Sequence, residues 1–420
     1  MSENKQPKTT RVQRIVAWVL TLVFIPTIFA FGVLSLADDP ADLAKSLRWG
    51  RMSKYLTNKD TPGQFEMLKA RIQSLEAGLG SHTPMKDELG WLNASFQYGI
   101  GKKLIMQGSE ELLTLEGGQI YDLSTEETLA PEAEEVRAFY EQLNGEVPFL
   151  FAYVNPQFYE GSIEMDEGYA TLDTGDRLAD EVLGIMQDAG VPTLDSRTFF
   201  ADCGYTDDEL MLRTDMHWTT LAGLIAAQHY ADAISEITGV PLHTDKLSVE
   251  QFETETYENF FLGEFGQQVG AHNSGYDDIT LYWPKYETDM ERFTVNRDGV
   301  EESASGSFRD SIIHWDAFDM EEDGTNVRGY MAYGLVERIE EIRNNGDCAD
   351  LTVLVFRDSY TAPVGCFLSL LVDELVMVDM RTVKVNAIDL VEQYNPDIVI
   401  FSHSRQMYED HAYKLQRDAA

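Results

Sequence analysis

LTVLVFRDSY, residues Leu351–Tyr360, decides how this chain is read. Leu351 to Phe356 form a nearly unbroken apolar run of strand length, and the polar group Arg357, Asp358, Ser359 follows at once. A strand without polar alternation is one buried on both faces, as in a parallel sheet covered by helices. Downstream, Leu375–Asp379 and Asp397–Phe401 repeat the pattern, separated by a helical segment over Val383–Tyr394. The last of these strands runs into Ser402, His403, Ser404 and Arg405.

Upstream, the alternation begins near residue 96. Pro131 opens a helix whose apolar positions are Val136, Phe139, Tyr140 and Leu143, and Pro148–Val154 reads as the next buried strand. A helix over Leu178–Ala189 stops at Gly190, Val191–Leu194 is a short strand, and a further helix spans about Thr219–Ile237. Strands alternating with helices predict a three-layer α/β fold around a parallel sheet. Chemistry in such sheets sits at the carboxyl ends of the strands. The stretch from about Pro241 to Cys348 interrupts the alternation. It is too long for an ordinary loop, so it is expected to be an insertion with structure of its own.

Residues 1–14 hold four basic side chains against one acid, and Ile15–Ala37 carries no charge over 23 residues. As a helix that segment is about 34 Å long, enough to cross a bilayer core. The positive-inside rule leaves the basic tail in the cytoplasm and the rest of the chain outside. A cleaved signal peptide is the alternative, and it sends the rest of the chain across the membrane as well. Residues 38–94 read as a stalk and approach helix: Thr61–Gln64 form a capping box, and Phe65, Leu68, Ile72, Leu75 and Leu79 follow at helical spacing. The main domain is then 95–420, with the insertion at about 241–348.

The 420 residues carry a net charge of -40, yet 44% are hydrophobic and 11% aromatic, so the acidity does not signal disorder. No basic tract is present, and nucleic acid is not an expected partner. The three cysteines, Cys203, Cys348 and Cys366, have neither zinc-ribbon nor thioredoxin spacing. No cofactor or metal is expected.

Two segments could carry chemistry together. In RTDMHWT, Arg213–Thr219, residues two apart point the same way in an extended loop, so Asp215 and His217 can face one site. Thr219 is placed to cap the following helix. Ser359 leaves a buried strand at the presumed active edge. Serine is a weak nucleophile until a neighbouring base takes its proton. Histidine suits that role when a carboxylate fixes its ring. Each segment alone also fits a structural reading: Asp-x-His in capping or core hydrogen bonding, Asp-Ser as a turn. Asp215 and His217 could ligate a metal, but no third ligand has diagnostic spacing. His403 is a rival base.

RTDMHWT, then LVFRDSY 142 residues further from histidine to serine, then PDIVIFSHSR, resemble the DHHW-type and alginate O-acetyltransferase-like (AlgX/AlgJ-like) branch of the SGNH hydrolase superfamily. NFFLGEFGQQVGAHNSGYDDITLYWP, Asn259–Pro284, is similar to another region of that family, and the resemblance covers roughly 95–420. It implies an SGNH-like three-layer fold, with Ser359 as nucleophile, His217 as base and Asp215 as its orienting carboxylate. Arg405, Tyr360 and Trp218 are the expected substrate contacts. The superfamily's Gly-Asp-Ser stands here as Arg357-Asp358-Ser359. The implied activity is O-acyl, above all O-acetyl, transfer to a cell-surface or secreted polysaccharide. The implied partner is a membrane-bound O-acyltransferase (MBOAT-type) protein that supplies acyl groups. A carbohydrate acetyl esterase using the same triad, and a non-catalytic anchored glycan-binding or assembly protein, are the alternatives.

Overall fold

We describe a computed structural model of the chain over residues 86–405, apart from 108–109, 116–117, 156, 158–166, 297–298, 322–323, 335–336 and 384, together with positions 67, 69, 71 and 415. The 15–37 segment and the 61–79 helix predicted from sequence lie outside these residues, except for isolated helical positions at 67, 69 and 71. Among the described residues no helix is long and apolar enough to cross a membrane. Two compact units are present, Met1–Asn93 and Ala94–Ala420, and the second contains every described strand.

The strands are β1 (Leu104–Gln107), β2 (Glu110–Thr114), β3 (Ile120–Asp122), β4 (Phe149–Val154), β5 (Thr193–Asp195), β6 (Phe252–Phe261), β7 (Asp277–Pro284), β8 (Met290–Asn296), β9 (Glu301–Gly306), β10 (Glu337–Asn344), β11 (Ala349–Arg357), β12 (Val372–Val378) and β13 (Ile398–Ser404). The helices that matter most are α1 (Ala130–Leu143), α2 (Gly175–Asp188), α3 (Thr220–Thr238), α4 (Glu264–Val269), α5 (Thr361–Leu368) and α6 (Ala387–Tyr394).

The central sheet has eight strands in the order β5-β4-β13-β11-β12-β10-β8-β9. The first five run parallel. Every residue of β4 and of β13 is buried, as continuous apolar runs require. One face packs on α1, α2 and α6 through Phe139, Val182 and Leu390. The other face packs on α3 and α5 through Leu224, Ala227 and Phe367. α3 starts where Thr219 Oγ1 accepts the Ala222 amide, as the sequence predicts, and ends at Gly239 with φ 73°. Its Gly223 lies against Pro363 of α5, where a Cβ would come within 2.8 Å of the proline ring.

The insertion corrects the expectation of a purely parallel sheet. It supplies β10, β8 and β9, which continue the sheet antiparallel beyond β12, so the sheet is mixed. The reason is readable in their composition. MERFTVN, EESASG and ERIEEIRN mix charged and apolar residues, as antiparallel strands with one wetter face do, and they lack the apolar run that marks a strand covered on both sides. The insertion also contributes the β6–β7 ribbon. β1–β3 form a separate three-stranded antiparallel sheet.

Candidate active site

Three segments meet at the carboxyl edge of β11. The first is the loop Met211–Trp218, closed by an antiparallel bridge between its ends and by the Leu212 amide donating to the His217 carbonyl at 3.1 Å. The closure leaves Arg213 to Met216 to be held by other elements.

Asp277, at the start of β7, supplies the main clamp. One carboxylate oxygen accepts the Arg213 amide at 2.9 Å; the other accepts the Thr214 amide at 2.8 Å and the Thr214 hydroxyl at 2.6 Å. Burial pushes the Asp277 carboxyl up, against these donors, which favour its charge. Thr214 Oγ1 in turn accepts the Gly263 amide at 2.9 Å, and the Thr214 carbonyl accepts the Gly266 amide at 2.9 Å. Tyr360 donates its hydroxyl to the Met216 carbonyl at 2.8 Å.

Asp215 and His217 emerge from this clamp facing one way. Asp215 Oδ1 lies 2.6 Å from His217 Nδ1, and His217 Nε2 lies 2.7 Å from Ser359 Oγ. Asp215 Oδ1 also accepts the His217 amide at 3.0 Å, and Oδ2 accepts the Glu264 amide at 2.8 Å. Burial alone would raise the Asp215 carboxyl. The His217 ring and the two amides outweigh it and hold the carboxyl below the usual carboxylate range.

That depressed value has a consequence for stability. A carboxylate with a lowered folded-state pKa contributes stability above its unfolded-chain pKa of about 3.9, and loses it as pH falls through the lower folded value. Asp215→Asn protein is therefore expected to unfold at lower urea concentration than wild type at neutral pH. The gap should narrow below about pH 4. An unchanged gap down the acid limb would show that the charge is not what stabilises the site.

The imidazole is bracketed by two rings. Tyr330 of the insertion stacks on it at 4.5 Å between centroids and 27° between planes, and Tyr360 lies at 4.8 Å and 39°. Ser359 itself is half-buried, between the end of β11 and the start of α5. Asp358 ties its turn to the neighbouring strand: its carboxylate accepts the Tyr360 amide at 3.0 Å and the Ser404 amide at 2.7 Å. Arg357, standing where the superfamily has glycine, is fully buried and donates to the Gly334 carbonyl at 3.0 Å.

The structure thus brings Asp215, His217 and Ser359 together, with Tyr360 against the His217 ring, and it places His403 and Arg405 elsewhere. His403, the rival base, is wholly buried beside Phe401 at 4.0 Å between centroids; burial and the charges of Arg381 and Arg357 hold it well below the ordinary histidine value. The three expected substrate contacts are interior. Arg405 donates to the Asp122 carbonyl at 2.9 Å and pairs with the Asp122 and Glu126 carboxylates. Trp218 is 4% exposed, packed edge-on against Phe200 and Tyr360, and Tyr360 is 1% exposed. Tyr360 and Trp218 support the loop from behind, and Arg405 ties the end of β13 to β3. Among the described residues no cluster suits a metal ion.

Sequence reading did not single out Asp277, Gly263, Gly266 or Tyr330. The first three lie inside the Asn259–Pro284 stretch. The Gly-x-x-Gly of LGEFG was the available sign, since closely spaced glycines mark a close backbone approach.

A serine, histidine and aspartate hydrogen-bonded in series at the edge of an α/β sheet define the serine hydrolase and acyltransferase class of site. Residues 120–300 match the family model described as SGNH hydrolase-like domain, acetyltransferase AlgX. The matched span contains Asp215 and His217 and ends before Ser359. A DHHW family protein from Eubacterium siraeum shares the fold, with a TM-score of 0.55 and 20% identity over 73% of this chain and 94% of that one. PatB1 from Bacillus cereus, solved with a sulfonyl adduct, gives a TM-score of 0.54 and 15% identity over 74% of this chain and 99% of that one. No curated protein matches the chain.

Proposed function

We propose that the protein is an O-acetyltransferase acting on hydroxyl groups of a cell-surface or secreted polysaccharide through an acetyl ester on Ser359. The observation that carries the reading is the unbroken chain Asp215–His217–Ser359, at 2.6 and 2.7 Å. The match of residues 120–300 to an acetyltransferase family model supports the choice of acyl group.

In this mechanism His217 Nε2 takes the Ser359 proton as Oγ attacks the donor's acyl carbonyl, and returns it to the leaving group. A sugar hydroxyl then gives its proton to Nε2 and attacks the acetyl-serine, and Ser359 recovers the proton when the new ester departs. Asp215 keeps Nδ1 protonated and stabilises the imidazolium. Of the two backbone amides flanking the hydroxyl, that of Tyr360 donates to Asp358, so we assign the Ser359 amide to the developing oxyanion. The 15–37 segment anchors the chain, with the catalytic domain outside the membrane and near an MBOAT-type donor protein; tethering raises the effective concentration of donor and acceptor.

The test is direct. Full-length protein treated with p-nitrophenyl acetate and digested should yield the Ser359 peptide one acetyl heavier, and adding oligosaccharide should move that acetyl to the sugar. Acetate release with no sugar ester would make the protein an esterase. An unmodified Ser359 peptide during turnover would remove the acyl-enzyme.

A further inference from the structure

Tyr330 belongs to the inserted region, yet its ring lies on the base of the triad. The two centroids are 4.5 Å apart, with 27° between the planes. The Tyr330 ring is half-buried, and the buried ring of Phe261 packs against it at 5.4 Å.

The chain around Tyr330 holds it in place. It lies in a short 3₁₀ turn, Gly329–Tyr333. Asn326, wholly buried, fixes the entry to that turn. Its side-chain nitrogen donates to the Ala317 and Asp319 carbonyls at 2.8 and 3.0 Å, and its side-chain oxygen accepts the Arg328 and Gly329 amides at 3.2 and 2.7 Å. These four bonds use the whole capacity of an asparagine side chain. The Asn326 carbonyl also accepts the Leu262 amide at 2.8 Å, just ahead of the Gly263 and Glu264 amides that hold Thr214 and Asp215. One residue thus ties the turn that carries Tyr330 to the strand end that steadies the triad loop. Gly329 allows little slack: an added Cβ would stand 3.0 Å from Asn326 Oδ1 and 3.1 Å from Ile279.

An aromatic face carries the negative side of the ring's quadrupole, so it attracts a cation more than a neutral ring. The attraction reaches about 6 Å from the centroid, and His217 lies within that range. An interaction that strengthens as charge develops lowers the barrier instead of only tightening the ground state. Asp215, Tyr330 and Tyr360 face the imidazole from three elements. Tyr360 is the more tilted ring, at 39°, and its hydroxyl supports the Met216 carbonyl.

We infer that Tyr330 is a positioning residue of this site: its ring orients the His217 imidazole and stabilises the imidazolium formed when Ser359 gives up its proton. The inference rests on His217 acting as the base, as in the acetyl-transfer reading.

The test is the pH dependence of p-nitrophenyl acetate turnover by full-length protein. Tyr330→Leu, which keeps apolar bulk and removes the ring, should lower kcat about 3- to 30-fold with little change in KM. The acid limb of its kcat/KM profile should move to lower pH, because a less stabilised imidazolium forms only in more acidic solution. Tyr330→Phe should restore both. Should Tyr330→Leu melt early, pentafluorophenylalanine at position 330 keeps the ring's shape, reverses its quadrupole and should show the same losses. A folded ring-less or fluorinated variant with kcat within about twofold of wild type and an unmoved acid limb overturns the inference. So does a Phe variant as impaired as the Leu variant, since the hydroxyl would then be what matters. Ser359→Ala is measured alongside. If it is inactive while Tyr330→Leu is not, only the role of Tyr330 fails; if it turns over, the acyl-enzyme reading and this inference fall together.

Discussion

Ser359→Ala protein is expected to retain its fold and to lose about 10³-fold or more in kcat for acetyl-ester turnover. The Ser359 side chain is half-buried, and the bond of its hydroxyl is to His217 Nε2, so removing one oxygen opens no core cavity. What disappears is the atom that the imidazole activates. No other hydroxyl is bonded to His217 among the described residues. Ser402 is committed to Tyr230 and Thr361 at 2.6 and 2.7 Å, within the core. Initial rates with p-nitrophenyl acetate, alongside thermal melting, decide the matter. Turnover within about tenfold of wild type with an intact melt would place the chemistry elsewhere.

Gly263→Ala is expected to cost both stability and activity, although Gly263 touches no reacting atom. An added Cβ would stand 2.6 Å from the Thr214 carbonyl carbon and closer still to Asp215 Cβ and the Thr214 oxygen. All of these atoms are backbone or its first side-chain carbon, so none can rotate away. The loop must shift, and with it the Gly263 and Glu264 amides that hold Thr214 Oγ1 and Asp215 Oδ2. Overpacking of this kind costs about 1–3 kcal/mol. A displacement near 1 Å at a catalytic group lowers kcat/KM by about 10². Gly184→Ala is the comparison. It sits inside α2 with nothing within 4 Å of its added Cβ, and should be neutral or slightly stabilising. Equal behaviour of the two variants in urea unfolding and in kcat/KM would deny Gly263 its place under the triad.

The parts of the fold legible in the sequence are those whose environment is written in a few consecutive residues. β4 and the central runs Val353–Phe356 of β11 and Ile398–Phe401 of β13 are buried on both faces and so are apolar. β8, β9 and β10 belong to the same sheet, yet their mixed pattern reads as irregular until their partners are known. The site divides in the same way. Asp215 and His217 stand two apart and Ser359 follows a strand, which made the pairing possible; each signal alone also fits a structural reading, and the roles came from the family resemblance. Asp277 was illegible because its partners, two backbone amides and the Thr214 hydroxyl, lie 63 and 64 positions away, and an amide carries no signature of its residue type. Arg405 and Trp218, expected from the sequence to contact substrate, are each 4% exposed, a burial that no local pattern announces.

The Asp277 clamp has a consequence for how this chain can change over time. Its carboxylate belongs to the inserted region, but it fixes a loop that precedes that region. The insertion is thus no optional ornament that a lineage could trim back to the parallel core. Lengthening or shortening the chain between Gly263 and Asp277 would move one anchor of the loop against the other. The outlying hairpin of β8 and β9 holds none of the loop's anchors, so variation in length should gather there.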